Sequence, residues 1–268
     1  MSGSVIDIEA AAGLITRVRE MSPLIHNITN NVVLNSSADA ILAVGATQAT
    51  VHNTEEAREL ASIASAISIN LGTPSGLWAE CARTAIAVAV EQAKPWVLDP
   101  VAVGLLPYRT DLAHECLAAG PTVVKGNASE IMAFAGEDAK THGADSMHDT
   151  EQAAAAAVRL AADSGTIVAA TGAVDLITDG KRTVRIANGN PLMPATVGTG
   201  CMLTPVIAAF VAVTNDAFSA TVAAIAAMGI AGELAAEKAE GPGTLRPLLI
   251  DALYGLNSET LTAKIRIS

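Results

Sequence analysis

Basic residues are scarce. Sixteen lysines and arginines stand against 27 aspartates and glutamates, a net charge of -11. That balance excludes nonspecific nucleic-acid binding, which needs lysine and arginine for the phosphate backbone. It leaves room for a phosphorylated small ligand, because a few local donors outweigh a distant negative field. Aromatics supply only 3% of the chain, so the core must be built from Ala, Val, Ile and Leu. Small side chains of this kind suit layered α/β proteins. The three cysteines, Cys81, Cys116 and Cys201, are too few and too widely spaced for a disulfide framework or a metal motif, and they suit a reducing compartment. The N-terminal stretch lacks the basic region of a signal peptide. The most hydrophobic run, residues 202–213, is too short to span a bilayer. The expectation is a cytoplasmic protein without a membrane or nucleic-acid partner. GxGxxG after the first strand and GxxxxGK[ST] are both absent, so any nucleotide must be held by another device.

What is present is an alternation of short apolar runs with helical patterns. Strands are expected at 46–51, 66–70, 96–98, 122–125 and 166–170. A hairpin is expected around Asp179-Gly180, and a weak edge strand at 260–267. Helices are expected between the strands and through most of the C-terminal third. Thr29 or Asn30, and then Thr54, are the expected helix caps. Residues 136–150 read as a polar surface excursion. No repeat or linker divides the chain, and one domain spanning 1–268 is expected. The fold class is α/β, a mostly parallel sheet covered by helices on both faces. Ligands of such sheets bind beyond the carboxyl ends of the strands. Polar clusters fall there: Asn70 to Ser75, Asp99, Lys125 to Glu130, and Thr171-Gly172.

The most informative stretch is Thr196-Val197-Gly198-Thr199-Gly200-Cys201, followed by an apolar helix. Its glycines allow a sharp turn and leave the first helical amides free for anionic oxygen. Cys201 stands at the helix start, where a thiolate forms most easily. Asp99 ends an apolar strand. Glu130 follows Asn127 by three residues and reads equally as a capping box or as an organiser of magnesium and its waters. Lys125, at a strand end, is placed to meet phosphate oxygens. Thr171 and Gly172 offer a hydroxyl and a close backbone passage.

The stretches HNITNNVVLNSSADAILAVGA, INLGTPS, VLDPVAVG, VVKGNASEI, TGAVDLITDG and VGTGCMLTPVIAAF together resemble the hydroxyethylthiazole kinase family of thiamine salvage, within the ribokinase-like superfamily. The resemblance implies transfer of the ATP γ-phosphoryl group to the primary alcohol of 4-methyl-5-(2-hydroxyethyl)thiazole. It implies ATP and Mg2+ as cofactors and a homotrimer with sites between subunits. Carried onto this chain, it assigns Gly198, Thr199 and Gly200 to an anion hole and Cys201 to substrate alignment and late proton acceptance. Lys125, Thr171 and Gly172 go to the ATP phosphates, with Gly72 and Thr73 near them. Asn27, Thr50 and Gly198 go to the acceptor, and Asp99 and Glu130 to magnesium. Two positions depart from the pattern: Thr50 stands where the family usually has methionine, and Asp39 where it usually has asparagine. These departures leave a related hydroxylated heterocycle open as acceptor. Two other readings are a nucleotide-dependent NAD(P)H-hydrate dehydratase and a noncatalytic nucleotide-binding protein. GTGC in place of GTGD and the HNITN stretch count against the dehydratase.

Overall fold

The computed structural model describes residues 5–137 and 147–268. Its elements follow in the order α1 (Ile8–Met21), β1 (Leu24–Ile28), α2 (Leu34–Ala43), β2 (Thr47–Ala49), α3 (Thr54–Ile63), β3 (Ala66–Asn70), α4 (Gly76–Glu91) and β4 (Trp96–Asp99). Next come α5 (Pro107–Ala118), β5 (Val123–Asn127), α6 (Ala128–Phe134), α7 (Met147–Ser164), β6 (Ile167–Thr171), and the hairpin β7 (Asp175–Thr178) and β8 (Thr183–Ile186). The chain finishes with α8 (Thr199–Val211), α9 (Ala217–Ala236), α10 (Pro242–Gly255) and α11 (Ser258–Lys264).

The strands form one sheet in the order β2-β1-β3-β4-β5-β6-β7-β8. It is parallel from β2 through β6, and antiparallel at β6–β7 and β7–β8. Side chains alternate between faces along each strand. Ile25, Ala66, Val97, Val123 and Ala169 pack on one face with α1, α2 and α8 to α11. Ile28, Ile67, Leu98, Val124 and Val168 pack on the other with α3 to α7. Both faces are therefore dry, which is why the central strands read as continuous apolar runs rather than alternating ones.

The longest apolar helix, α9, has the length and composition to cross a membrane, yet 78% of its apolar window is buried inside the protein. Two glycines on one side of it permit close approach. A Cβ on Gly229 would lie 2.8 Å from the Asn188 carbonyl oxygen, and one on Gly232 would collide with Met193.

Several local expectations change. Asn53, not Thr54, caps α3 by accepting from the Glu56 amide at 2.9 Å. Helix α2 starts at Leu34, with Val33 at its cap position and no side-chain cap bond, because Asn30 is committed elsewhere. The tail is the helix α11, capped by Asn257; only Ile267 makes a strand-like bridge, to Ile186. The expected excursion at 136–150 falls mostly outside the described residues, and its last four residues belong to α7.

Beneath the carboxyl end of β1, His26 is fully buried, with Nε2 3.4 Å from the Val51 carbonyl and Nδ1 without a partner among the described residues. Burial, with the nearby charge of His52, pushes its pKa down to about 4 from 6.5, against the pull of the Val51 carbonyl. The unfolded chain therefore takes up a proton that the folded chain refuses as pH drops from 6.5 towards 4, and stability is lost across that window. Replacing His26 by Gln keeps a donor for Val51 and removes the titration. Urea unfolding at about pH 7.5 and about pH 5 should show the acid-induced loss reduced by about 2 kcal/mol in this variant.

Candidate active site

Strand parity builds the site. Asn27, Asn70, Asp99 and Lys125 each follow, two or four residues on, a strand residue that packs on the α8 face. All four lie at or near the carboxyl ends of adjacent strands, with Asn70 paired to Asp99 in register. All four are buried: Asn27, Asn70 and Asp99 almost completely, and Lys125 at 4% exposure.

Asp99 is the centre of this group. Its Oδ2 accepts from Asn70 Nδ2 at 2.8 Å, Thr204 Oγ1 at 2.8 Å and Lys125 Nζ at 3.1 Å. Its Oδ1 is buried with no partner among the described residues. Burial favours a neutral Lys125, but Asp99, the Cys201 sulfur and Glu130 together raise its pKa above the ordinary value, so it is held as the ammonium. Asn70 Oδ1 accepts from the Gly72 amide at 3.0 Å and from Asn30 Nδ2 at 2.7 Å. Asn30 Nδ2 also lies 3.6 Å from Cys201 Sγ, while its Oδ1 accepts from the Val32 amide. Gly72 is required here, because a Cβ would sit 2.6 Å from the Asn30 amide nitrogen.

Above Asp99 and Lys125 stands the N-terminus of α8. Gly198 caps it at φ 91°, in the left-handed region, with no side chain to occupy the free amides. A Cβ on Gly200 would lie 3.7 Å from Lys125 Nζ, so the ammonium and the helix start face one volume. The Thr199 hydroxyl donates to the carbonyls of Met193 and Thr196, and Arg246 holds the Val197 carbonyl at 2.8 Å. The turn is thereby anchored, and the Thr199 N–H also donates to the Thr196 carbonyl, at 3.4 Å. The Cys201 thiol is pushed up, by burial first and by Asp99 second, against the opposing effect of Lys125 and the amide donors. Burial, and then the nearby carboxylate, thus work against the thiolate that a helix start favours.

Beside this helix start lies a cavity of about 600 Å³, lined by Thr171, Gly172, Thr199 and Gly200 together with the 188–194 loop and α9. The Thr171 hydroxyl donates to the Gly126 carbonyl, and the Gly172 amide to Asp175 Oδ1. Burial raises the Asp175 carboxyl to about 6, against the Gly172 amide and Lys125.

Glu130 makes the capping box with Asn127. Its two carboxylate oxygens accept from the Ala102 and Asn127 amides, and burial followed by the charge of Asp99 raises its pKa. Among the described residues no three His, Cys, Asp or Glu side chains form a metal cluster. One unpartnered carboxylate oxygen with a second acid near it fits magnesium, which takes few protein ligands and completes its shell with water and phosphate.

The structure thus brings together Gly198, Thr199, Gly200, Cys201, Asp99 and Lys125, and places Thr171 and Gly172 on the adjoining cavity. Asn27 is fully buried, gives its amide to Ser37 Oγ, and keeps Oδ1 without a partner among the described residues. Thr73 Oγ1 accepts from the Asn31 amide. Thr50 stands apart: it follows the edge strand β2, is exposed, and donates to Gln48. The sequence reading gave no role to Thr204. Its position one turn after Cys201, inside an otherwise apolar run, was the available signal.

A mostly parallel sheet with an open helix N-terminus above strand-end acid and lysine side chains defines an α/β kinase of ribokinase-like architecture. A ribokinase-like superfamily protein from Enterococcus faecalis shares that fold, with a TM-score of 0.63 at 15% identity over 88% of this chain and 87% of its own. A sequence model of the hydroxyethylthiazole kinase family matches residues 15–259, and the chain belongs to that family and is an enzyme of its type. The hydroxyethylthiazole kinase of Cereibacter sphaeroides is 48% identical over 250 residues, covering 93% of this chain and 95% of that one. The structure of the hydroxyethylthiazole kinase protein from Pyrococcus horikoshii superposes with a TM-score of 0.90 at 39% identity, covering 97% and 98% of the two chains.

Proposed function

We propose that this chain, as one domain, transfers the γ-phosphoryl group of ATP to the primary alcohol of 4-methyl-5-(2-hydroxyethyl)thiazole. The observation that carries the reading is the uncapped α8 N-terminus facing Lys125 at the edge of the cavity. The alcohol oxygen bonds to the γ-phosphorus as the bond to the ADP oxygen breaks. The transition state is loose, so alignment and charge stabilisation do most of the work. The amides around Gly198, Thr199 and Gly200 take the equatorial oxygens of the moving group. Lys125 neutralises phosphate charge, with Thr171, Gly172, Gly72 and Thr73 bounding the nucleotide. Asp99 and Glu130 would hold magnesium and its waters, and the ion would supply neutralisation of phosphate charge. Cys201, raised away from a thiolate, fits alignment of the hydroxyl better than early proton removal. The alcohol proton then passes late, once the new bond has formed, when phosphoryl oxygens can accept it.

Asn27 and Thr50 are proposed for the acceptor side. The exposure of Thr50, with Val32 and Val197 exposed at 64% and 60%, supports a homotrimer in which a neighbouring subunit completes the pocket. The decisive assay is ADP formation under ATP and magnesium with the hydroxyethylthiazole, set beside a panel of related alcohols and a nicotinamide hydrate. A phosphorylated thiazole as the preferred product is the expected result. Equal efficiency across unrelated alcohols would sink the thiazole assignment, and turnover of the hydrate alone would replace it with the dehydratase.

A further inference from the structure

Beyond Thr199, which opens α8, two threonines sit inside the apolar helices α8 and α9, and they use their hydroxyls differently. Thr221 donates to the carbonyl of Ala217, one turn back on its own helix, the usual resort of a buried helical threonine. Thr204, fully buried, donates 2.8 Å away to Asp99 Oδ2 on β4, 105 residues distant in sequence. That bond closes a circuit. From Cys201 Sγ it passes through Asn30 Nδ2, Asn70, and Asp99 Oδ2 to Thr204 Oγ1. It leaves α8 at Cys201 and returns to the same face of the helix three residues on. The two asparagines cannot be flipped without loss. Val32 and Gly72 donate backbone N–H groups to their oxygens, so the direction of every link is fixed. Among the described residues three donors meet on Oδ2 and none on Oδ1.

We propose that Thr204 is a positioning residue for phosphoryl transfer, its hydroxyl fixing the Asp99 carboxylate so that Oδ1 faces the metal–phosphate volume at a set distance from the first amides of α8. Thr204 touches neither nucleotide nor acceptor; it acts through Asp99. The inference rests on the phosphotransfer reading given above, in which Asp99 serves a divalent cation.

The test uses Thr204→Val, which keeps the shape and removes the hydroxyl, and Thr204→Ser, which keeps the hydroxyl. Binding of Mn2+ in the presence of ADP, followed by electron paramagnetic resonance, needs no turnover and no acceptor. Thr204→Val should weaken Mn2+ binding by about tenfold or more, the usual scale for a residue that orients a metal ligand, and should lower kcat more than it raises KM for the alcohol. Thr204→Ser should recover most of both. In an Asp99→Asn background, Thr204→Val should add little further loss. Parental Mn2+ affinity and kcat in folded Thr204→Val would overturn the proposal. So would equal damage in Thr204→Ser, which would make the role one of packing. If Thr204→Val does not fold, Thr204→Ser against Thr204→Ala makes the same comparison. If the parent phosphorylates no alcohol, the functional reading fails while the Mn2+ arm still decides this one.

Discussion

Gly198→Ala should abolish most turnover in a protein that still folds. At φ 91° an alanine is strained, by about 1–2 kcal/mol for a left-handed L-residue. Its Cβ would also lie 2.5 Å from Cγ1 of Val33. The Arg246 bond to the Val197 carbonyl and the Thr199 bonds to the preceding loop leave the turn little room to give way. Relief by moving the start of α8 would disturb its alignment with Lys125. Loss of one aligned donor to a developing oxyanion costs about a hundredfold to a thousandfold in kcat, and here the whole first turn is displaced. Steady-state kinetics should show kcat falling by that order, and urea unfolding should show a loss of about 2 kcal/mol. Parental kcat in Gly198→Ala would remove the anion hole from the mechanism.

Lys125→Met should cost both stability and chemistry, and the two losses are separable. Lys125 and Asp99 are a buried pair 3.1 Å apart, with side chains 5% and 1% exposed. Removing the lysine leaves a buried carboxylate held by neutral donors alone. Breaking a buried pair from one side costs about 3–5 kcal/mol. Catalysis loses a charge facing the phosphates, and kcat/KM should fall by about a thousandfold. Adding Asp99→Asn removes the orphaned charge. The double variant should regain most of the stability and none of the activity. Recovery of activity along with stability would show that the lysine serves the fold alone.

The sheet was legible because dry strands write themselves as short apolar runs. Residues 66–70 were delimited in full, as they form β3. Asp179-Gly180 announced the β7–β8 turn, where Gly180 sits at φ 84°. Asp99 and Lys125 were visible as polar residues ending such runs, and Gly198-Thr199-Gly200 as a turn before a helix. What local pattern could not show was where a polar side chain spends its hydrogen bonds. Asn30 was read as a helix cap, but its amide is drawn off to Asn70 and Cys201, and the helix starts later without a side-chain cap. Thr204 has the composition of any core threonine, and only the fold reveals that Asp99 lies opposite it. The tail alternates like a strand, yet Leu261 is buried in the core and the helix α11 forms around it. The raised Cys201 thiol was hidden for a similar reason: its burial, and then a carboxylate from a strand end about a hundred residues earlier, are set by the fold.

Helix α9 is buried along almost its whole circumference, so the hydrophobic effect gives it no preferred rotation about its own axis. Its angular setting is instead keyed by two notches. Gly229 receives the backbone at Asn188, and Gly232 receives the Met193 side chain. Both notches lie on one side, and the loop that fits them is a wall of the nucleotide-sized cavity. The cavity and the helix therefore share one mechanical setting, like a key and its shaft. A side chain filling either notch would crowd the loop and also turn the helix, and the shape of the cavity would turn with it.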